Sequence, residues 1–122
     1  MKKLRWLILL LIVFLPINVF ALSDTYHDRI HDIVDEKVED DKINIYLFRG
    51  EGCPHCAEEE EWLKTIKKEY KDKVNIYDYE VWYSKDNAKL LDEVKEELNS
   101  KSTGIPFTII GDEYFTGFSE VT

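Results

Sequence analysis

Cysteine is scarce in this chain of 122 residues, with only Cys53 and Cys56. Both lie in one short motif, so there is no framework of structural disulfides to hold a loop-rich fold together. Structural zinc needs four ligands, often from two paired motifs, and no second pair exists. Ala57 follows Cys56, which removes the Cys-x-x-Cys-His haem-attachment pattern. Positive charge is also short: 16 Lys and Arg stand against 25 Asp and Glu, a formal net charge of −9. A surface this acidic argues against nucleic acid and against docking on anionic lipid. A long hydrophobic run is missing too. The apolar stretch from Trp6 to Leu22 is broken by Pro16 and Asn18, short of the roughly 20 residues a spanning helix uses. Internal repeats, linkers and low-complexity segments are absent apart from the acidic run Glu58 to Glu61. The length fits one domain with a modest core.

What is present begins with an export signal. Met1-Lys2-Lys3-Leu4-Arg5 is a basic start, Trp6 to Leu15 an apolar middle and Val19-Phe20-Ala21 a cleavage site. Residues 1–21 are therefore expected to be a signal peptide or an uncleaved N-terminal anchor, and the remainder to be exported: periplasmic, cell-surface or secreted. In an oxidising compartment a lone cysteine pair can cycle as a disulfide, so a redox pair accounts for both cysteines.

The pair is framed by two different periodicities. Before it, Lys42 to Phe48 is short, apolar and β-branched and is ended by Gly50 and Gly52, the pattern of a buried strand. After it, Trp62, Leu63, Ile66 and Tyr70 follow one helix face. Cys53 thus falls where an N-cap belongs, with Pro54 at the first helical position. Free backbone N–H groups and the positive helix end favour a thiolate there. Cys56, one turn on, is close enough to close a small disulfide ring.

Strand, Cys53-Pro54-His55-Cys56 and helix together resemble the thioredoxin-like superfamily, and the Pro-His dipeptide is similar to that of DsbA-type disulfide oxidoreductases. A second motif strengthens the resemblance. The superfamily carries a cis-proline opposite the pair, just before an antiparallel hairpin, and Gly104-Ile105-Pro106-Phe107-Thr108 stands in that place. The resemblance covers about Lys42 to Phe118. It implies Cys53 as nucleophile, Cys56 as resolving thiol, and Pro54 and His55 as tuning residues. It further implies that the backbone at Ile105 and Pro106 lies against an extended substrate.

The remaining pattern fits. Ser23 or Asp24 caps a helix over about 25–40, with Tyr26, Ile30, Ile33, Val34 and Val38 at helical spacing. Its His27 and His31 are read as surface histidines. Val74 to Trp82 reads as a strand, and Ser84 or Asp86 caps a helix bearing Leu90, Leu91, Val94 and Leu98 and ending near Asn99-Ser100. Phe107 to Ile110 is a third strand, Gly111-Asp112 a tight turn and Tyr114 to Phe118 a fourth. Tyr77, Tyr79, Trp82 and Tyr83 are expected to pack as core rather than form a binding platform. The expected fold class is α/β: a thioredoxin-like three-layer arrangement with a mixed four-stranded sheet flanked by helices. Its domains are 1–21 for export, 22–41 for the preceding amphipathic helix and 42–122 for the thioredoxin-like unit. The closing C-terminal helix of that fold is missing before Thr122, and a truncated chain is expected.

Two departures from the relatives stand out. Leu47 occupies the position of a buried acid, and Gly52 that of an aromatic. Glu51 and Glu58 to Glu61 are expected to be solvent-exposed and to oppose thiolate formation weakly. The function expected is exchange of disulfides with protein cysteines, recycled by a redox partner, with no metal and no cofactor beyond the pair. Membrane contact is expected only through the N-terminal segment or a missing C-terminal part. The alternatives are a reductant or electron-relay head of a longer membrane protein, and a metal-binding module using Cys53, Cys56 and His55.

Overall fold

The computed structural model describes Ile30, Ile33, Val34, residues 42–111 and residues 113–119. Its centre is β1 (Ile43–Arg49), whose residues from Asn44 to Phe48 are all buried. That burial follows from having a neighbour on each edge and a helix layer on each face. β2 (Val74–Glu80) pairs with β1 in parallel, Ile43 opposite Val74 and Arg49 opposite Glu80. On the other edge β3 (Phe107–Ile110) runs antiparallel, Phe48 opposite Phe107 and Leu47 opposite Thr108. β4 (Glu113–Thr116) completes the order β2-β1-β3-β4 as an antiparallel edge strand. Parallel neighbours need a long crossover, which α1 (Pro54–Tyr70) and a 3₁₀ turn at Lys71–Lys73 supply. α2 (Lys85–Glu97) joins β2 to β3. The expected α/β arrangement, a mixed four-stranded sheet with helices, is what the chain adopts.

Period-two alternation sends the sheet's apolar residues into two cores. One holds Ile45 and Leu47 of β1 and Val74 of β2 against Leu63 of α1, with Ile66, Ile76 and Ile110 at its edge. The other holds Tyr46, Phe48, Tyr79, Phe107 and Ile109 against Leu91 and Val94 of α2. The helical residues Ile30 and Val34 are buried in this second core, with Ile33 packed against it. Each fully buried side chain of this size contributes about 1.5–3 kcal/mol, so the two cores account for most of what opposes chain entropy. The rest of the expected 25–40 helix, residues 1–21, His27, His31, Asp112 and residues 120–122 lie outside the described residues.

Two strand ends differ from expectation. β2 stops at Glu80 rather than Trp82, because the Glu80 carboxylate accepts hydrogen bonds from the backbone N–H of Trp82 (2.7 Å), Tyr83 (3.0 Å) and Ser84 (3.2 Å). A local carboxylate has taken the place of the sheet ladder. β4 stops at Thr116, where Gly117 (φ 79°) turns its N–H onto the Pro106 carbonyl at 2.8 Å. Ser84 is the cap of α2, its hydroxyl accepting from Asn87 N–H at 3.2 Å.

The aromatic expectation divides. Tyr79 is buried and Tyr77 packs against the same core, each stacked on a β1 ring. Trp82 and Tyr83 are exposed, because the turn after Glu80 carries them off the sheet. The Trp82 indole lies over Gly50, where an added Cβ would meet ring carbons at 2.3–2.6 Å. Gly50→Ala is expected to push the indole away, shifting its fluorescence to longer wavelength and costing about 1–3 kcal/mol in a denaturant melt. An unchanged spectrum would show that the ring does not depend on that glycine.

Candidate redox site

β1 ends in a tight loop whose geometry delivers Cys53 to a helix start. Cys53 N–H donates to the Gly50 carbonyl at 3.2 Å, and Gly52 adopts φ 84°. That conformation is costly for any residue with a Cβ, which gives a physical reason for glycine at this position. Cys53 is extended (φ −76°, ψ 116°) and is the N-cap of α1, with Pro54 at N1. Its Sγ accepts from Cys56 N–H at 3.3 Å, and its carbonyl accepts from Ala57 N–H at 3.0 Å. Cys53 and Cys56 are joined as a disulfide, Cα to Cα 5.2 Å.

A strand-to-helix turn leads one to expect an open Cys53, yet it is only 7% exposed, and Cys56 is fully buried. Cys53 still borders solvent through a shallow groove of about 420 Å³ lined also by Arg49, Gly52, Pro54 and Glu60. Of the two sulfur-bearing residues it is the one an incoming thiol can meet. Pro106 is buried, Ile105 packs against the second core, and the bond between them is cis. Phe107 lies opposite Phe48, so Ile105 and Pro106 reach the same end of the sheet as Cys53.

His55 points elsewhere. Its ring is exposed, with Nδ1 3.3 Å from Glu58 Oε2. The surrounding acids are not the uniform exposed set the sequence suggests. Arg49 Nε binds Asp78 at 2.8 Å and lies 3.1 Å from Glu60, while Nη1 binds Glu51 at 3.0 Å. Burial works against the guanidinium charge, but the bonds to Asp78 and Glu51 outweigh it and raise the Arg49 pKa. Glu51 and Glu60 are thus partly neutralised beside the groove. Glu80 also accepts from Glu51 N–H at 3.2 Å, tying the Cys53 loop to the turn after β2. Burial raises the pKa of this carboxyl, yet its four backbone N–H partners prevail and lower it.

Glu59 is the residue that sequence reasoning missed. It is 4% exposed, not solvated. One carboxylate oxygen accepts from Thr108 Oγ1 at 2.5 Å, and the other is buried with no hydrogen-bond partner. Burial raises its pKa, and the Thr108 bond opposes that only in part. The signal was phase: Cys56, Glu59 and Leu63 are the buried stripe of α1, at spacings that share one helix face. Thr108 in turn stands opposite Leu47 of β1. Among the described residues no group of three or more His, Cys, Asp or Glu is arranged to hold a metal ion.

No family model and no curated protein matches the chain. Solved structures similar to it include a glutaredoxin from Archaeoglobus fulgidus, at 22% identity over 63% of this chain and 77% of that one, TM-score 0.49. Another is the germline-specific thioredoxin Deadhead of Drosophila melanogaster, at 22% identity over 77% of each chain, TM-score 0.42. A third is the oxidoreductase DsbA1 of Neisseria meningitidis, at 16% identity over 70% of this chain and 79% of that one, TM-score 0.44. The strand order, the crossover and the helix-capping pair describe the architecture on their own. The fold is thioredoxin-like.

The Glu59 environment makes a stability prediction. A carboxyl whose folded-state pKa is raised stabilises the fold fully below its unfolded pKa of about 4.5 and loses that contribution as pH rises through the folded value. At neutral pH it is therefore a burden. Glu59→Gln, which keeps an acceptor for Thr108, is expected to stabilise the protein at pH 7 by on the order of 1 kcal/mol. The gain should vanish on acidification, and thermal melts at the two pH values check it.

Proposed function

We propose that this chain is an exported thiol–disulfide oxidoreductase that exchanges disulfides with protein cysteines through Cys53 and Cys56, in the oxidising direction. The observation that carries the reading is the cap: Cys53 Sγ accepts the Cys56 N–H at the first turn of α1. A donor aimed at the sulfur and a positive helix end stabilise a thiolate there. Stabilising the reduced form makes a dithiol pair a stronger oxidant.

The step runs as follows. A substrate thiolate approaches along the groove and attacks Cys53 Sγ, breaking the Cys53–Cys56 bond and forming a mixed disulfide, with Cys56 leaving as a thiolate that takes up a proton. A second substrate thiolate then attacks its own sulfur in the mixed disulfide. Cys53 leaves as the thiolate the helix end favours, and the substrate carries away the disulfide. Ile105 and Pro106, at the same sheet end, are the backbone against which the substrate strand lies. The reduced pair is returned to the disulfide by a partner oxidant. Pairing of Glu51 and Glu60 with Arg49 limits the opposing acidic field, and screening over about 8 Å at physiological salt weakens the rest. His55, directed at Glu58, is given no direct contact with the sulfur in this account.

The test is the equilibrium potential in glutathione buffers together with oxidation of a reduced test protein. The potential is expected to be more oxidising than the thioredoxin value of about −270 mV, with transfer abolished in Cys53→Ala. A potential at or below that value would replace this reading with the reductant relay.

A further inference from the structure

The groove at Cys53 is where a partner thiol must arrive, and the charge on its lips is unbalanced. Its charged lining residues are Arg49, Glu51 and Glu60. The single guanidinium is shared among three carboxylates, since Asp78 lies against the same Nε as Glu60. The surplus is negative and open to solvent, with the Glu51 side chain 69% exposed. Glu80, which accepts the Glu51 N–H, places a fourth carboxylate behind the loop. Among the described residues, Lys64 pairs with Glu61 and Lys89 with Glu93, none of which lines the groove. At the Gly50 end stands the exposed Trp82, its indole over that glycine. The face of an indole attracts cations. Carboxylates and ring favour the same kind of visitor.

Resting on the exchange reading above, we propose that this groove selects substrate cysteines flanked by lysine or arginine. The reason is the charge of the reacting species. The nucleophile is a thiolate, and it approaches Cys53 Sγ between lips that carry surplus negative charge. A thiolate alone is repelled there. A cation beside it on the substrate chain offsets the repulsion, pairs with Glu51 or Glu60, and keeps its own cysteine ionised. Its apolar stem can lie along the Trp82 ring while the charged head stays in water. The thiolate then attacks Cys53 Sγ, the Cys53–Cys56 bond breaks, and Cys56 leaves as a thiolate that takes up a proton. The cation enters no bond in this step. It changes how often a thiolate arrives in position, whereas an acidic flank adds like charge and is turned away.

Distance limits the selection to near neighbours. An extended chain advances about 3.3–3.6 Å per residue, and charges are screened over about 8 Å at physiological salt. Only residues within about two positions of the substrate cysteine fall inside that range. Stability does not explain the arrangement, because exposed ion pairs contribute little to it and one acid would satisfy Arg49 as a partner.

The test uses the intact oxidised protein and end-blocked peptides, each with a single cysteine flanked on both sides by lysine, serine or glutamate. Loss of the oxidised form, counted by mass after acid quenching, gives the rate per thiolate. Dividing by the rate of the same peptide with an uncharged small disulfide removes the reactivity of the peptide itself. The lysine peptide is expected to exceed the glutamate peptide about tenfold at low salt. That ratio should fall toward one at 1 M salt, where the screening length is about 3 Å. Lysines moved four positions from the cysteine should react like serine. Glu51→Lys should bring the ratio to one or below, Trp82→Leu should lower it, and Arg49→Gln should enlarge it. Opposite signs from Glu51 and Arg49, two partners in one ion pair, are what selection by charge requires and what a loss of structure would not give. A ratio near one at low salt, a ratio indifferent to salt, or the wild-type ratio retained in any of the three variants would overturn the selection while exchange itself stands. A protein that reacts with none of the peptides would overturn the exchange reading as well.

Discussion

The chemistry proposed here depends on one junction, where a central strand hands the chain to a helix through a cysteine. β1 is buried on both faces and paired on both edges, so its C-terminal end is fixed in space. The loop that follows closes with Gly52 at φ 84°, a conformation that favours glycine, and it sets Cys53 as the cap of α1. A helix begins with unsatisfied N–H groups. In most proteins a hydroxyl or carboxylate meets them; here a sulfur does. The same contact that starts the helix is the one proposed to bias the protonation of the sulfur.

A polar layer surrounds this junction and sets its limits. Glu80 gathers the amides of the turn after β2 and that of Glu51, and Arg49 gathers Glu51, Glu60 and Asp78. Both are surface devices whose individual ion pairs contribute little to stability, but together they hold the lips of the groove. Glu59 belongs to a different class. A buried carboxyl with one unsatisfied oxygen opposes folding at neutral pH. It lies one turn beyond Cys56 on the buried stripe of α1.

Much of this was legible in the sequence, and the part that was not has identifiable causes. Lys42 to Phe48 read as a buried strand because its residues are apolar on both faces, and α1 and α2 read as helices because Leu63 and Ile66, and Leu91 and Val94, recur at helical spacing. Cys53 and Pro106 were placed by motif, at opposite strands of the same sheet end. Glu59 was obscured because it sits inside four consecutive glutamates, where composition signals a solvated face. Only its phase relative to Cys56 and Leu63 sets it apart. Trp82 looked like strand, and Tyr83 like core beside it, because aromatics favour sheets. What ended the strand was the Glu80 carboxylate competing for backbone N–H groups, an interaction that no periodicity carries. The partner of His55 likewise depends on which neighbour its ring turns toward, and Glu58 one turn on was as available as the sulfur.

The claim on which the account rests is that the helix start makes Cys53 a thiolate at neutral pH while Cys56 stays protonated. Ultraviolet titration of the fully reduced protein, repeated on Cys56→Ala, measures it directly. The account predicts one thiol ionising within the range of about 3.5–7.5 and retained in the Cys56→Ala protein, with the second ionising above the ordinary value of about 8.5. Two thiols titrating together near 8.5, or loss of the early step in Cys56→Ala, would contradict it.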